Sequence, residues 1–183
     1  IKSTVKIASG TTNGPTLIDG DAYGISIANL GDIDADGIQD LAVGAFSDDT
    51  GGSARGAFYI HYMNRNGSIK STVKIASGTT NGPTLADNDI YIYVNSIGDL
   101  DNDGITDLAV GTPGDDTGGS ARGAFYIHYM NSGGSIKSTV KISNGTTNGP
   151  TLADGDTYGA YVTNLGDMDG DGIQDLAVGA TQD

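Results

Sequence analysis

The 183-residue sequence contains no cysteine, no tryptophan and no glutamate. Without cysteine the chain forms neither disulfides nor thiolate metal sites, and a cysteine nucleophile is excluded. All 23 acidic residues are aspartates, against nine lysines and arginines, which gives a formal net charge of -14. This excess of negative charge repels a phosphate backbone, so nucleic acid is not an expected partner.

Long apolar runs and helical periodicity are also missing. No stretch approaches the ~18–20 apolar residues of a membrane-spanning helix, and no signal peptide is recognisable. No segment keeps a 3.6-residue apolar period over three turns, so we expect essentially no helix. Because 37% of the residues are hydrophobic and only 17% are charged, the chain is expected to fold around a core rather than to remain a disordered acidic tail.

An internal repeat dominates the sequence. The segment Ile1–Ile7 recurs at Ile69–Ile75 and Ile136–Ile142, at steps of 68 and 67 residues, and residues 53–64 recur unchanged as 120–131. A fixed period of this size indicates stacked supersecondary units, none of which buries its apolar face alone. The predicted division is a last strand of a preceding unit plus a linker over residues 1–18, complete units over residues 19–86 and 87–153, and the first half of a third unit over residues 154–183.

Each unit is predicted to contain four short β-strands. In the first unit the candidates are Ala22–Leu30, Leu41–Val43, Ala57–Met63 and Ile69–Ile75, which are rich in β-branched and aromatic residues or alternate between apolar and polar. Turn signals such as Asn66-Gly67 separate them. Four short strands per repeat are typical of a propeller blade, so the predicted fold class is all-β.

An aspartate-rich loop recurs once per unit, with the pattern Asp-x-Asp-x-Asp-Gly-x-x-Asp. Four carboxylates so close together repel one another along a straight strand, whereas a turn lets them converge on a cation. Ca²⁺ takes about six to eight oxygen ligands, while Zn²⁺ prefers nitrogen or sulfur and Mg²⁺ keeps a stricter octahedral shell. We therefore predict three Ca²⁺ sites, each with four aspartate side chains and the carbonyl of loop position 7 as ligands. The predicted ligands are Asp32, Asp34, Asp36, Ile38 and Asp40 in the first loop, Asp99, Asp101, Asp103, Ile105 and Asp107 in the second, and Asp167, Asp169, Asp171, Ile173 and Asp175 in the third.

The residues around these loops resemble a known family. Tyr23-Gly24, the first acidic loop and the segment 41–46 together resemble the FG-GAP repeat of integrin α-subunit β-propellers, and the third unit matches through Tyr158-Gly159. The resemblance implies four-stranded antiparallel blades, calcium in the hairpin between the first two strands, and an extracellular or cell-surface location. Members of that family close a ring of roughly seven blades, whereas this chain has fewer than three and is not expected to close alone. In the second unit Tyr91-Ile92 replaces the aromatic–glycine pair, so its local strand geometry is expected to differ.

Other polar residues carry weaker signals. The pairs Asp19/Asp21 and Asp48/Asp49, with their repeat copies, are expected to be solvated turns, the alternative being a second cation site. The strand histidines are expected to be packed or surface residues rather than ligands. The arginines before the third strand of each unit are expected to pair with loop aspartates or to remain exposed. The histidines are His61 and His128, and the arginines are Arg55 and Arg122.

No arrangement for nucleophilic catalysis is recognisable, because the two histidines are repeat copies rather than partners. The sequence thus favours a non-catalytic, calcium-binding extracellular structural or adhesion protein, part of a longer array or surface filament. Its expected partners are copies of itself or further repeats, with a surface protein or glycan as another class. The alternatives are a ligand-binding receptor head and an accessory propeller of a secreted hydrolase. Residues 49–64 and 116–131 hardly differ, which favours the array, since a receptor face needs loops that differ.

Overall fold

The computed structural model describes residues 4–80 and 82–183, and within these ranges the chain is all-β, without helix. The described residues therefore contain no helix that could span a membrane. The strands form three antiparallel sheets, which we call blades, and neighbouring strands follow one another in sequence. Blade 1 comprises β1 (Tyr23–Gly31), β2 (Asp40–Ala45), β3 (Ala57–Met63) and β4 (Ile69–Ala76); blade 2 comprises β5 (Tyr93–Gly98), β6 (Asp107–Thr112), β7 (Ala124–Met130) and β8 (Ile136–Ser143); the third, two-stranded blade comprises β9 (Tyr158–Gly166) and β10 (Asp175–Ala180).

The main core lies between the first two blades. Strand β3 is buried along its whole length because neighbouring structure covers both of its faces. Phe58 and Ile60 lie in one cluster with Val110 of the second blade and with Tyr91, which precedes β5. Burying such side chains contributes about 1.5–3 kcal/mol each. The repeats thus stabilise one another, as expected for units that cannot bury their faces alone.

Glycines in the second strand of each complete blade allow close approach to the next blade. A Cβ atom on Gly44 would lie 2.4 Å from the carbonyl oxygen of Ile92, and one on Gly111 would lie 1.9 Å from that of Gly159. Real Cβ atoms do not come so close to backbone atoms, so only glycine fits. Blade packing therefore explains the glycine of the Val-Gly pair in each of the two complete blades.

The second blade departs locally from the others at its first strand, as expected. Strands β1 and β9 each contain an irregularity near their start, between Tyr23 and Ile27 and between Tyr158 and Tyr161. Strand β5 begins at Tyr93 and lacks this irregularity, although its end keeps a register shift between Ser96 and Gly98. The second unit has one residue fewer than the first before its acidic loop, because Gly98 follows Asp89 by nine positions whereas Gly31 follows Asp21 by ten. The missing residue accounts for the missing bulge.

The segment before the first blade differs from its predicted strand. Residues 1–3 of the predicted strand Ile1–Ile7 lie outside the described residues, and residues 4–7 are not in a strand. The same sequence at Ile69–Ile75 is a strand because it pairs with β3. The described part of the chain gives residues 4–7 no such partner, and an extended segment gains little without one. The predicted boundaries at residues 19, 87 and 154 fall in the connections before β1, β5 and β9.

Candidate metal centre

The acidic loops connect β1 to β2, β5 to β6 and β9 to β10, so all three lie at the same end of their blades. Two left-handed residues reverse the chain in the first loop, Ala35 with φ of 58° and Gly37 with φ of 84°. Asn102 and Gly170 take the place of Ala35 in the other copies and are also left-handed. This double reversal turns the loop aspartates toward one another.

The first aspartate of each loop holds the turn in shape. The Asp32 carboxylate accepts hydrogen bonds from the backbone N–H groups of Asp36 at 2.9 Å and Gly37 at 2.7 Å. The Asp99 carboxylate makes the same pair of bonds at 3.1 and 2.7 Å, and that of Asp167 does so at 3.1 and 2.9 Å. The loop conformation is thus set by its own backbone and carboxylates.

In the two four-stranded blades, the last aspartate of the acidic loop is buried and its hydrogen bonds anchor the loop to the sheet. The Asp40 carboxylate, 0% exposed, accepts hydrogen bonds from the N–H groups of Ile33 at 3.1 Å and Met63 at 2.9 Å. Asp107 makes the equivalent bonds. Burial raises the pKa of both carboxyls, although their hydrogen bonds act in the opposite direction. Each oxygen keeps a further lone pair, so a role for Asp40 as a metal ligand stays a prediction.

Three of the four predicted carboxylates converge in every loop. One oxygen from each member of the group lies within 4.8 Å of the corresponding oxygens of the other two. Asp40, Asp103 and Asp171 are the predicted side chains outside these groups, and the carbonyl ligands at Ile38, Ile105 and Ile173 stay predictions. The convergent groups are Asp32, Asp34 and Asp36; Asp99, Asp101 and Asp107; and Asp167, Asp169 and Asp175.

The donor set of the first loop fits a hard cation. Asp34 Oδ1 is buried and has no hydrogen-bond partner among the described residues. A buried carboxylate oxygen without a partner is costly, and a cation removes that cost. Because every convergent atom is a carboxylate oxygen, the residues suit Ca²⁺ better than a metal that prefers nitrogen or sulfur.

A lysine that the sequence analysis did not single out bridges two loop carboxylates in each complete blade. Lys70 Nζ lies 2.7 Å from both Asp34 Oδ2 and Asp36 Oδ2. Lys137 Nζ lies 2.6 Å from Asp101 and 2.9 Å from Asp103. The hydrogen bond from Lys70 lowers the pKa of Asp36, and that from Lys137 lowers the pKa of Asp103. The only sequence signal was the recurrence of this lysine in each copy of the segment Ile69–Ile75.

At the opposite end of the blades, some aspartates predicted as solvated turns are buried instead. The expectation is wrong for Asp48, which is 1% exposed, pairs with Lys74 at 2.6 Å and accepts the Tyr59 hydroxyl at 3.0 Å. Burial acts to raise the pKa of Asp48, but the hydrogen bonds from Lys74 and Thr50 outweigh it and hold the pKa below its ordinary value. Asp115 is buried beside Lys141 in the same way. These pairs are internal supports of the blades.

The arginines join one blade to the connection that leads to the next. Arg55 Nε donates to Asp87 Oδ1 at 2.8 Å, and Arg122 donates to Asp154 at 2.8 Å. Their partners are therefore aspartates of the following connection, not the Asp48/Asp49 pair in their own loop. Asp89 accepts the N–H of Ala86 at 2.7 Å. It is buried, as are its copies Asp21 and Asp156, so the expectation of solvated turns is wrong for these three aspartates as well.

The histidines are packed inside the sheets, as predicted. His61 and His128 are both 0% exposed. The Tyr23 hydroxyl lies 2.6 Å from His61 Nε2, and His61 Nδ1 lies 2.8 Å from the Thr72 hydroxyl, which itself donates to the Asn13 carbonyl. Nδ1 therefore carries the proton. Burial lowers the pKa of His61 to about 4 and that of His128 to about 3, so both are neutral supports near pH 7.

Comparison with known proteins agrees with this arrangement. Residues 92–128 match the FG-GAP repeat family model. The chain is 34% identical to integrin alpha-3 of Cricetulus griseus over 163 residues, 36% identical to integrin alpha-3 of Mus musculus over 163 residues, and 30% identical to integrin alpha-4 of Xenopus laevis over 166 residues. Each match covers 88% of this chain but only 14% of the relative.

Proposed function

We propose that this chain is a non-catalytic, calcium-stabilised repeat protein of an extracellular or cell-surface structure. The chain is an FG-GAP repeat protein and resembles the propeller repeats of integrin α-subunits. The convergence of three aspartate oxygens in every repeat loop carries the proposal. Bound Ca²⁺ would supply positive charge to carboxylates that otherwise repel one another.

The loops also take part in the contact between blades, which gives calcium a structural role beyond the loop itself. The Gly133 N–H of blade 2 donates to the Ile33 carbonyl of the first loop at 3.1 Å, and the Tyr62 hydroxyl donates to the Gly133 carbonyl. Asn164 of β9 donates to the Ile97 carbonyl at 2.7 Å, next to the second loop. Ordering a loop therefore also orders its contact with the following blade.

Calorimetric titration with CaCl₂, together with thermal unfolding in calcium and in EDTA, tests the calcium function. We expect three bound ions and a melting temperature that falls in EDTA. MgCl₂ serves as the control and should bind more weakly, because the loop presents more oxygens than a hydrated Mg²⁺ uses. No binding heat, combined with an unchanged melting temperature in EDTA, would overturn the proposal.

The partners we propose are further repeats of the same type, in the same chain or in another copy. Ile25 and Ile27 of β1 are 55% and 65% exposed, whereas their counterparts in the third blade, Ala160 and Val162, are 5% and 3% exposed. The counterparts are covered because a blade precedes theirs. The exposed face of blade 1 thus has the chemistry of a face that this fold buries against another blade.

The other end of the stack shows the complementary pattern. Leu165 of β9 is 48% exposed, whereas its counterparts Leu30 and Ile97 are 2% and 0% exposed. A contact between such unlike ends is head-to-tail, and it either closes a ring or continues as an array. The near-identity of the units gives each junction nearly the same geometry, which supports an array or filament.

A ligand-binding receptor head is the second candidate. A cleft of about 440 Å³ lies at the end of the blades away from the acidic loops, and its lining includes Phe46, Tyr93, Pro113 and Tyr161. Apolar, aromatic-lined clefts are common recognition sites. Electron micrographs in calcium distinguish the candidates: the array predicts extended or ring-shaped particles, whereas a receptor head predicts separate particles.

A further inference from the structure

Lys70 and Lys137, which we call the bridging lysines, form ion pairs with aspartates that are predicted calcium ligands. Each ammonium bonds the aspartates at loop positions 3 and 5, with distances between 2.6 and 2.9 Å. An ammonium and a divalent cation held by the same two carboxylates repel each other strongly at this range. The lysine and the ion therefore compete for the same two carboxylates.

A β-bulge aims each bridging lysine at its loop. In blade 1, Tyr62 pairs with Ser71 and Met63 pairs with Ile69, so Lys70 is the extra residue of a bulge in β4 and has no partner residue in β3. In blade 2 the register passes over Lys137 in the same way. A bulge turns the side chain of its extra residue out of the strand's alternation. The arrangement is thus built into both complete repeats rather than being a chance contact of one long side chain.

We propose that the bridging lysines are intrinsic counter-cations that regulate calcium binding: each neutralises its loop when Ca²⁺ is absent and must swing into solvent when the ion binds. The inference rests on the proposed calcium function. Both lysine side chains are 43% exposed, so leaving the loop sacrifices little packing. The lysines lower the calcium affinity of their loops, and in return the blades keep their fold at low calcium.

The three loops of this chain are not equivalent under this proposal. Among the described residues, Asp169 and Asp171 of the third loop form no ion pair, so nothing there competes with the ion. We therefore expect the first and second loops to bind calcium more weakly than the third.

The test compares the wild-type chain with Lys70→Met/Lys137→Met, which keeps an unbranched side chain of nearly the same length and removes the charge. Calorimetric titration with CaCl₂ should show about tenfold tighter binding at two of the three sites, because the competing charges are gone. In EDTA the same variant should melt at a lower temperature, because its loop carboxylates are no longer neutralised. Lys70→Arg/Lys137→Arg, which keeps both charges, is the matched control and should behave like the wild type.

The outcomes separate this inference from the function on which it rests. If the wild type binds Ca²⁺ and the methionine variant binds it no more tightly, the regulatory role is overturned while the calcium function stands. If neither protein binds Ca²⁺, the proposed function fails and the inference fails with it. An unchanged melting temperature of the methionine variant in EDTA overturns the stabilising role of the lysines.

Discussion

Asp40 has two roles, because its carboxylate accepts hydrogen bonds that anchor the first loop and is also a predicted calcium ligand. Its two oxygens accept the N–H groups of Ile33 and Met63, so Asp40→Ala leaves two buried donors unpaired. We expect a loss of about 2–4 kcal/mol in the free energy of unfolding even in EDTA, and weaker calcium binding at the first loop. Urea unfolding and calcium titration measure the two effects separately.

The matched control for that change is Ala35→Gly, in the same loop. Ala35 has φ of 58°, a conformation that glycine adopts at no steric cost, and the third loop already has Gly170 at this position. The variant should unfold at equal or slightly higher urea concentration and bind calcium like the wild type. If Asp40→Ala were as harmless as Ala35→Gly, the anchoring role of Asp40 would be wrong.

The buried histidines should make stability depend on pH. Unfolding returns their pKa from about 4 and about 3 to the ordinary value near 6.5, so the unfolded chain binds more protons between these values. The protein therefore loses stability as pH falls from about 6.5 toward 4. Between pH 7 and pH 5 the loss should be about 4 kcal/mol for the two residues together.

Urea unfolding of the wild type and of His61→Gln/His128→Gln in calcium-free buffer at both pH values measures this effect. The variant should be less stable at pH 7, since glutamine replaces the imidazole bonds imperfectly, but its stability should change much less between the two pH values. An equally steep pH dependence in the variant would assign the effect to other groups.

At the level of single residues, the sequence could predict that carboxylates converge in each acidic loop but not all of the contacts of these loops. Spacing and residue type were enough to group Asp32, Asp34 and Asp36, because these residues lie in one short turn. Lys70 could not be assigned to them, since its position depends on a register shift between β3 and β4. The burial of Asp48 was missed for a similar reason, because its partner Lys74 lies on another strand.

Among the structural elements, the second strand of each four-stranded blade needs a glycine where it packs against the next blade. Gly111→Ala places a methyl group where the carbonyl of Gly159 lies, so the third blade must shift away. We expect a loss of about 1–3 kcal/mol in the free energy of unfolding. Gly179→Ala is the matched control, because the nearest described atom to its Cβ would be the Tyr161 carbonyl oxygen at 3.8 Å. Thermal unfolding of the two variants should show a clear loss for the first alone.

Strand prediction succeeded where local pattern and pairing agree. Residues 57–63 and 124–130 combine aromatic and β-branched side chains, and both are fully paired strands. The segment Ile1–Ile7 has the same sequence as Ile69–Ile75, yet residues 4–7 are not in a strand. The same local sequence is therefore a strand in one place and not in the other. The difference is the presence of a neighbouring strand, which cannot be read from the local sequence.

At the scale of the whole molecule, head-to-tail assembly requires both unlike ends. In a junction that repeats the one between blade 2 and the third blade, Gly179 takes the place of Gly111 and meets an incoming first strand. Ile25 and Ile27 then lie in that incoming strand, at the positions where Ala160 and Val162 of β9 are buried. Changes at either end should therefore block assembly without unfolding the single chain.

Sedimentation velocity in calcium measures this on three proteins. The wild type should self-associate with rising concentration, whereas Gly179→Ala and Ile25→Ser/Ile27→Ser should each remain monomeric with unchanged melting temperatures at low concentration. Ile18→Ser is the control, because Ile18 is 75% exposed but precedes the first strand, so its loss should leave self-association intact. Mixing the two assembly-deficient variants gives the sharper result: each retains one intact end, so a head-to-tail junction predicts that they pair with each other but extend no further, whereas a contact between like ends predicts no such pairing.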